Sequence, residues 1–399
     1  MLKKIFVIIL VLVCSVLIIR VNHEARLNAG KDNDSGNKAR MNADIVNDPG
    51  DGEKLNADGA SDDLGGTGQF KSRADWLKAV KEKAVNEYYE TPVIKKGRSA
   101  TYYAMQTAGL IMGLHECTKE DEFNKIVSQR TDLPNLVTEQ VDCAILAYSL
   151  HYINDKAYPL KSKINYKVLK VVNVNIDAKT GTLMYRKRCP SYRFVDTIGL
   201  VCPFLAAFAK EEKNDRLAEI AVAQIIEFEQ AAFVKASDYL PFHAVDLKNS
   251  AHLGKQGWGR GTGWYALGLI DTYSEVDDNN KAKLKNSIIR LSGALVKYQK
   301  EDGGWGSTLN VPTSRTDTSA TALNLYFIKR ACKLGVINKK DYSRSIRLAE
   351  KCLINNTGSD GLVMNTEAEC RDLGNYSPDY IHMPFTQGMT LRAAYTVYE

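Results

Sequence analysis

The sequence predicts an all-α fold, an (α/α)6 barrel in which six helix hairpins close into a ring. Three observations predict it. Apolar residues recur at helical spacing over most of residues 70–399, one kind of helix opening returns six times, and a short extended piece recurs out of phase with it.

The helical period covers residues 71–90, 139–153, 194–211, 214–233, 262–275, 281–300, 316–334, 340–354 and 386–398. In each, apolar residues stand three and four apart, the spacing that puts them on one face of a helix. The openings read VDCAIL (141–146), VDTIGL (195–200), TGWYAL (262–267), TDTSATAL (316–323) and TQGMTL (386–391), with a weaker copy at TYYAMQTAGL (101–110). Each places Asp, Thr or Gln beside small residues just before an apolar helical run. The extended pieces are TGTLMY (180–185), DYLPFH (238–243), DGGWGS (302–307) and SDGLVM (359–364), whose Leu183, Leu240, Trp305 and Leu362 lie 57, 65 and 57 residues apart.

Residues 70–399 number 330, and 330 divided by six gives 55 per repeat, enough for two helices of about 15 residues and two loops. Small residues at the openings (Ala144, Gly199, Gly263, Ala320, Gly388) would let a ring of inner helices close tightly. An open helical solenoid is the alternative reading of the same repeat. The ring matters for function because it brings all six inner-helix N-termini to one mouth.

The N-terminal part differs in kind. Residues 1–21 carry Lys3 and Lys4, an apolar run from Ile5 to Ile19, then Arg20, the order of an export signal. We expect a signal anchor or signal peptide there. The chain would then be extracytoplasmic, anchored to a membrane by residues 5–19, or secreted if the segment is cleaved. Residues 22–69 are rich in Asn, Asp, Gly, Ala and Lys and hold too few apolar residues to offset their ordering entropy, so they are expected to be a disordered linker. Residues 70–399 form the expected catalytic domain.

Composition excludes several classes. The net charge of +6 comes from interspersed acids and bases, and no Lys/Arg cluster alternates with aromatics, which argues against a nucleic-acid partner. The eight cysteines show no C-x-x-C pair and no Cys/His spacing for zinc; a Cys352–Cys370 disulfide is left open. G-x-S-x-G, H-E-x-x-H and P-loop patterns do not occur.

Asp142 and Asp196 hold equivalent places, each after a Val at a helix opening and 54 residues apart. In a ring they would face one mouth, and paired carboxyl groups suit acid–base chemistry on sugars, one carrying a proton while the other stays charged. The plainer reading is that both cap helices. His243 follows Asp196 by 47 residues and would reach the same mouth, able to donate to a sugar hydroxyl or carboxylate. The segment QGWGRGTGWYALGL (256–269) sets Trp258, Arg260 and Trp264 among four glycines directly before a helix. Glycines permit close backbone approach, a guanidinium binds a carboxylate in a fork, and indoles stack on sugar faces. Tyr102, Tyr103, Tyr185 and Trp305 could add aromatic walls.

VDTIGLVCPFLA (195–206), His243 after its extended piece and WGRGTGWY (258–265) resemble glycoside hydrolase families 88 and 105, the unsaturated glucuronyl and rhamnogalacturonyl hydrolases. The resemblance covers roughly residues 70–399 and implies a single (α/α)6 barrel with no metal or organic cofactor. It implies an oligosaccharide substrate ending in an unsaturated uronic acid. It implies further that Asp196 is the general acid/base that protonates C4 of the C4=C5 double bond, with Asp142 its companion. Substrate contacts would fall to His243, Trp258, Arg260 and Trp264. Two other functions fit the barrel: action on another saccharide in capsule or exopolysaccharide biosynthesis, and glycan binding without catalysis.

Overall fold

The protein is described by a computed structural model that covers residues 70–93, 98–233 and 238–398. The expected export segment and linker lie outside the described residues. Among those described, no helix is long and apolar enough to cross a membrane.

Six inner helices make the ring. They are α2 (Arg98–Cys117), α4 (Ala144–Ser149, preceded by a 3-10 turn at Val141–Cys143), α6 (Val195–Glu212), α8 (Gly259–Glu275), α10 (Thr318–Lys333) and α12 (Pro384–Tyr395). Each packs on the next, and α12 packs back on α2, so the ring closes and no solenoid edge is left. All six openings read from the sequence start or lie within these helices. Outside them run α1 (Arg73–Glu90), α3 (Glu120–Ser128), α5 (Leu160–Asn173), α7 (Asp215–Ala232), α9 (Asp278–Lys297) and α11 (Lys339–Asn355). The apolar period of the sequence does not reveal α3 or α5. The first is short, and the second buries a narrow stripe, chiefly Ile164, Val168 and Val172, among lysines.

Small residues set how closely the inner helices approach. A Cβ on Gly388 would stand 2.0 Å from the Gly109 carbonyl oxygen, and one on Gly113 2.2 Å from that of Gly388. The α6–α8 seam is equally tight, since a Cβ on Gly268 would meet the Ile198 carbonyl oxygen at 2.2 Å. Backbone-to-backbone contact of this kind has no flexible side chain to give way.

The recurring extended pieces close the loops after the outer helices. Leu183 bridges to Ile176, Pro241 to Phe233 and Val363 to Thr357. Leu183, Leu240 and Trp305 are fully buried, while in the fourth copy Val363 takes the buried place in preference to Leu362. A three-stranded antiparallel sheet, β1 (Tyr192–Phe194), β2 (Phe242–Asp246) and β3 (Ala251–Gln256), stands beside the mouth. A two-residue pair, β4 (Thr366–Glu367) with β5 (Tyr380–Ile381), stands before α12. All seven described cysteines are free, Cys352 and Cys370 included.

Candidate active site

The N-terminal ends of α2, α4, α6 and α8, with Met383 just before α12, converge on one pocket open to solvent. Its wall includes Tyr102 of α2, Asp142 of the turn before α4, Asp196 of α6, Arg260 and Trp264 of α8, and Tyr185, Trp258, Glu369 and Cys370 from connecting segments. The two aspartates therefore share one cavity, as ring closure requires.

Neither side chain caps its helix. Asp142 and Asp196 lie inside the first turn, and the residues at the cap positions, Gln140 and Phe194, make no side-chain cap bond. Asp317 shows what capping looks like here, for its Oδ1 accepts from the Ser319 amide at 2.9 Å.

Asp142 is clamped. The Arg186 guanidinium donates to its Oδ2 at 2.7 Å and to its Oδ1 at 3.0 Å, and the Tyr185 hydroxyl donates to Oδ1 at 2.5 Å. Arg186 lies over the Tyr185 ring, 3.7 Å from its centroid. Burial and the neighbouring carboxylate charges push the Tyr185 phenol well above its usual range, so it remains a donor. In the sequence Tyr185 offers only an aromatic wall, and Arg186 carries no periodic signal.

Asp196 is held differently. Its Oδ2 is buried and makes no hydrogen bond among the described residues; His243 Nε2 stands 3.2 Å away but out of line for one. A β-bulge brings these two side chains together. Phe194, two residues before Asp196, pairs with Ala244 across β1 and β2. On the other side of β2, Phe242 pairs with Gln256 and Ala244 with Leu253, so Gly254 and Lys255 together oppose His243. Gly254 has φ +73°, and a Cβ there would meet the Tyr376 hydroxyl at 2.6 Å and His243 Cβ at 2.8 Å. The Lys255 amide freed by the bulge donates to the Tyr376 hydroxyl oxygen, which also stands 2.8 Å from His243 Nδ1. His243 Nδ1 thus faces Tyr376 while Nε2 faces Asp196.

The glycine-rich segment serves the wall more than the opening. A Cβ on Gly259 would meet the Gly306 carbonyl oxygen at 2.3 Å, and one on Gly263 the Leu323 side chain at 2.6 Å, so these glycines let α8 pack. Trp258 is 3% and Trp264 2% exposed. The first packs beside the His243 ring, centroids 4.5 Å apart, and donates from Nε1 to Glu367; the second packs on Phe385. Arg260 spends its terminal nitrogens on the Glu367 and Ala368 carbonyls, at 2.5 and 2.8 Å. These three residues reach the pocket as edges of a packed wall. Beneath them, burial pushes the carboxyl groups of Asp317 and Glu367 above the usual range, with Arg260 pulling the other way. Among the described residues no cluster of His, Cys, Asp and Glu has the arrangement of a metal site.

A closed ring of helix hairpins with two aspartates in an aromatic-lined cavity at its mouth defines a carbohydrate-active (α/α)6-barrel protein. Residues 62–399 match Glycosyl Hydrolase Family 88, and the chain belongs to that family. It is similar to the unsaturated rhamnogalacturonyl hydrolase YesR of Bacillus subtilis, 24% identical over 198 residues that cover 49% of this chain and 55% of the relative. A 24.9 kDa protein in the picA locus of Rhizobium radiobacter is 27% identical over 100 residues, 24% of this chain and 43% of that one. The chain thus spans about half the length of the curated relatives it matches. Among solved structures, a possible GH105 member from Salmonella enterica aligns with a TM-score of 0.70 at 18% identity, covering 82% of this chain and 94% of that one. The unsaturated glucuronyl hydrolase of Bacillus sp. GL1, responsible for glycosaminoglycan degradation, aligns at 0.60 and 15% identity, covering 80% and 94%. The structural likenesses show the shared fold.

Proposed function

We propose that the protein is a hydrolase that removes a terminal unsaturated uronyl sugar from oligosaccharides, with Asp196 as proton donor. The observation that carries this reading is the asymmetry of the two carboxyl groups in one pocket. Asp142 has both oxygens held by Arg186 and Tyr185, whereas Asp196 keeps one buried oxygen without a hydrogen-bond partner beside His243. The relatives named for activity act on unsaturated uronyl sugars.

In this reading Asp196 delivers a proton to C4 of the C4=C5 double bond, leaving positive charge shared between C5 and the ring oxygen. The fixed charge of Asp142 stabilises that cation. Water adds at C5 and returns a proton to Asp196, giving a hemiketal. Opening of the C5–O5 bond makes a ketone at C5 and a hemiacetal at C1, which expels the remaining sugar. The bond to the glycosidic carbon is not attacked directly, so the carboxyl separations of ordinary glycosidases do not govern the outcome. Tyr102 offers the more open aromatic face, and His243 donates to the sugar. Placement outside the cytoplasm, through residues 5–19, belongs to the same proposal.

The purified chain should abolish the ultraviolet absorbance of disaccharides made by polysaccharide lyases, and Asp196→Asn should not. A variant with normal turnover would remove Asp196 from its role. Binding of those disaccharides without any product would favour a glycan-binding barrel.

A further inference from the structure

We propose that Arg186 is a positioning residue for the reaction, holding Asp142 as an oriented anion and acting on catalysis through Asp142 and not through the substrate. The inference rests on the reading above, in which Asp142 supplies fixed charge beside Asp196.

The geometry is that of a fork. Two guanidinium nitrogens meet two carboxylate oxygens at 2.7 and 3.0 Å, an arrangement that only arginine provides and that fixes orientation as well as charge. The nitrogen that bonds Oδ2 also donates to the Tyr185 carbonyl at 3.0 Å, and the guanidinium rests on the Tyr185 ring. Side chain and backbone of one dipeptide thereby hold Asp142 from one direction. That dipeptide is itself anchored, because Leu183 bridges to Ile176 and the Met184 amide donates to the Asn175 carbonyl at 2.8 Å. The Asp142 side chain is 9% and the Arg186 side chain 27% exposed, so the pair is shielded enough to matter yet borders the pocket.

An isolated carboxylate at a pocket mouth can rotate and can exchange roles with its neighbour. A clamped one cannot. Arg186 thus keeps the two aspartates distinct, Asp142 as fixed charge and Asp196 as the group that moves a proton. A residue that contacts substrate and one that orients a carboxylate make different kinetic predictions. Uniform binding contributes to KM, whereas a charge aligned to the transition state contributes to kcat.

The test is a double-mutant cycle in the full chain with an unsaturated disaccharide, folding of each variant checked by thermal melting. Arg186→Gln should lower kcat by about 30- to 100-fold with KM within about twofold. Arg186→Lys should restore only part of the loss, since an ammonium keeps the charge without the fork. In an Asp142→Asn background, Arg186→Gln should cost no more than about threefold further, because its target is gone. Losses that multiply, a rise in KM at unchanged kcat, or a harmless Asp142→Asn would each overturn the inference. A wild type inert on every unsaturated uronide removes the reading and the inference together, while an active wild type with multiplying losses removes the inference alone.

Discussion

Two aspartate–arginine pairs in this barrel are built from the same parts and stand in different surroundings. At the mouth, Asp142 takes a hydroxyl hydrogen bond from Tyr185 at 2.5 Å and a guanidinium from Arg186 at 2.7 Å. Toward the opposite end, Asp271 near the C-terminus of α8 takes one from Tyr326 at 2.5 Å and a guanidinium from Arg392 of α12 at 2.8 Å. Arg392 further donates to the Tyr152 hydroxyl at 3.0 Å and lies 4.1 Å from the Tyr326 ring centroid. Exposure separates the pairs. The side chains of Asp271 and Arg392 are 1% and 2% exposed, against 9% and 27% for Asp142 and Arg186. A fully buried pair meets no ligand and can only join helices, and removing one partner strands a charge in a dry interior. A pair that borders a cavity can spend its charge on a reacting molecule.

The sharpest way to break the comparison is to remove the proposed proton donor. Asp196→Asn should lower kcat by about 10³-fold or more while the melting temperature stays within about 2 °C, because its Oδ2 makes no hydrogen bond to lose. At the other end the expectation reverses. Arg392→Met should cost about 3–5 kcal/mol of stability by denaturant titration, with KM unchanged in whatever fraction folds. Equal effects of Arg392→Met and Arg186→Gln on folding would dissolve the distinction.

A smaller effect tests the phenol that both pairs share. Tyr185→Phe should lower kcat about tenfold and leave stability within about 1–2 kcal/mol, whereas Tyr326→Phe should move stability by a similar amount and leave kcat unchanged. The smallest is a slope. Burial lowers Lys329, whose ammonium donates to the Ala393 and Ala394 carbonyls at the end of α12, to about 8 from 10.5. Below pH 8 it is protonated folded and unfolded alike, and the whole cost of burying the charge is present. From pH 8 to 10.5 the folded chain gives up the proton first, so stability should rise, by at most about 1.4 kcal/mol per pH unit. Lys329→Met should flatten that rise in a melting series across the window, and an unchanged slope would show the group titrates normally.

Much of the architecture was legible because it repeats. A helix opening that recurs six times, 40 to 70 residues apart, cannot hide among chance patterns, and all six openings belong to inner helices. The outer helices α3 and α5 were less legible, one being nine residues long and the other burying only a thin stripe. At the site, Asp142, Asp196 and His243 were visible through their repeat positions. Arg186 and Tyr376 were not, since each lies in an irregular segment and gains meaning only from what stands opposite. The tryptophans and Arg260, expected as substrate contacts, do line the pocket, and the fold also uses most of their surface to pack α8 and to hold the chain before α12.

By itself the sequence determined that this chain would fold into paired helices, that small residues would let the inner ones touch, and that two aspartates would occupy equivalent openings. Those are local matters of periodicity and size, and they survive in one dimension. Which aspartate is clamped and which keeps an unbonded oxygen was decided only in three dimensions. That difference depends on Arg186, 44 residues from Asp142, and on a bulge that turns His243 toward Asp196. Charge and hydrogen bonding act over a few ångströms of space, and only the closing of the ring makes those ångströms exist.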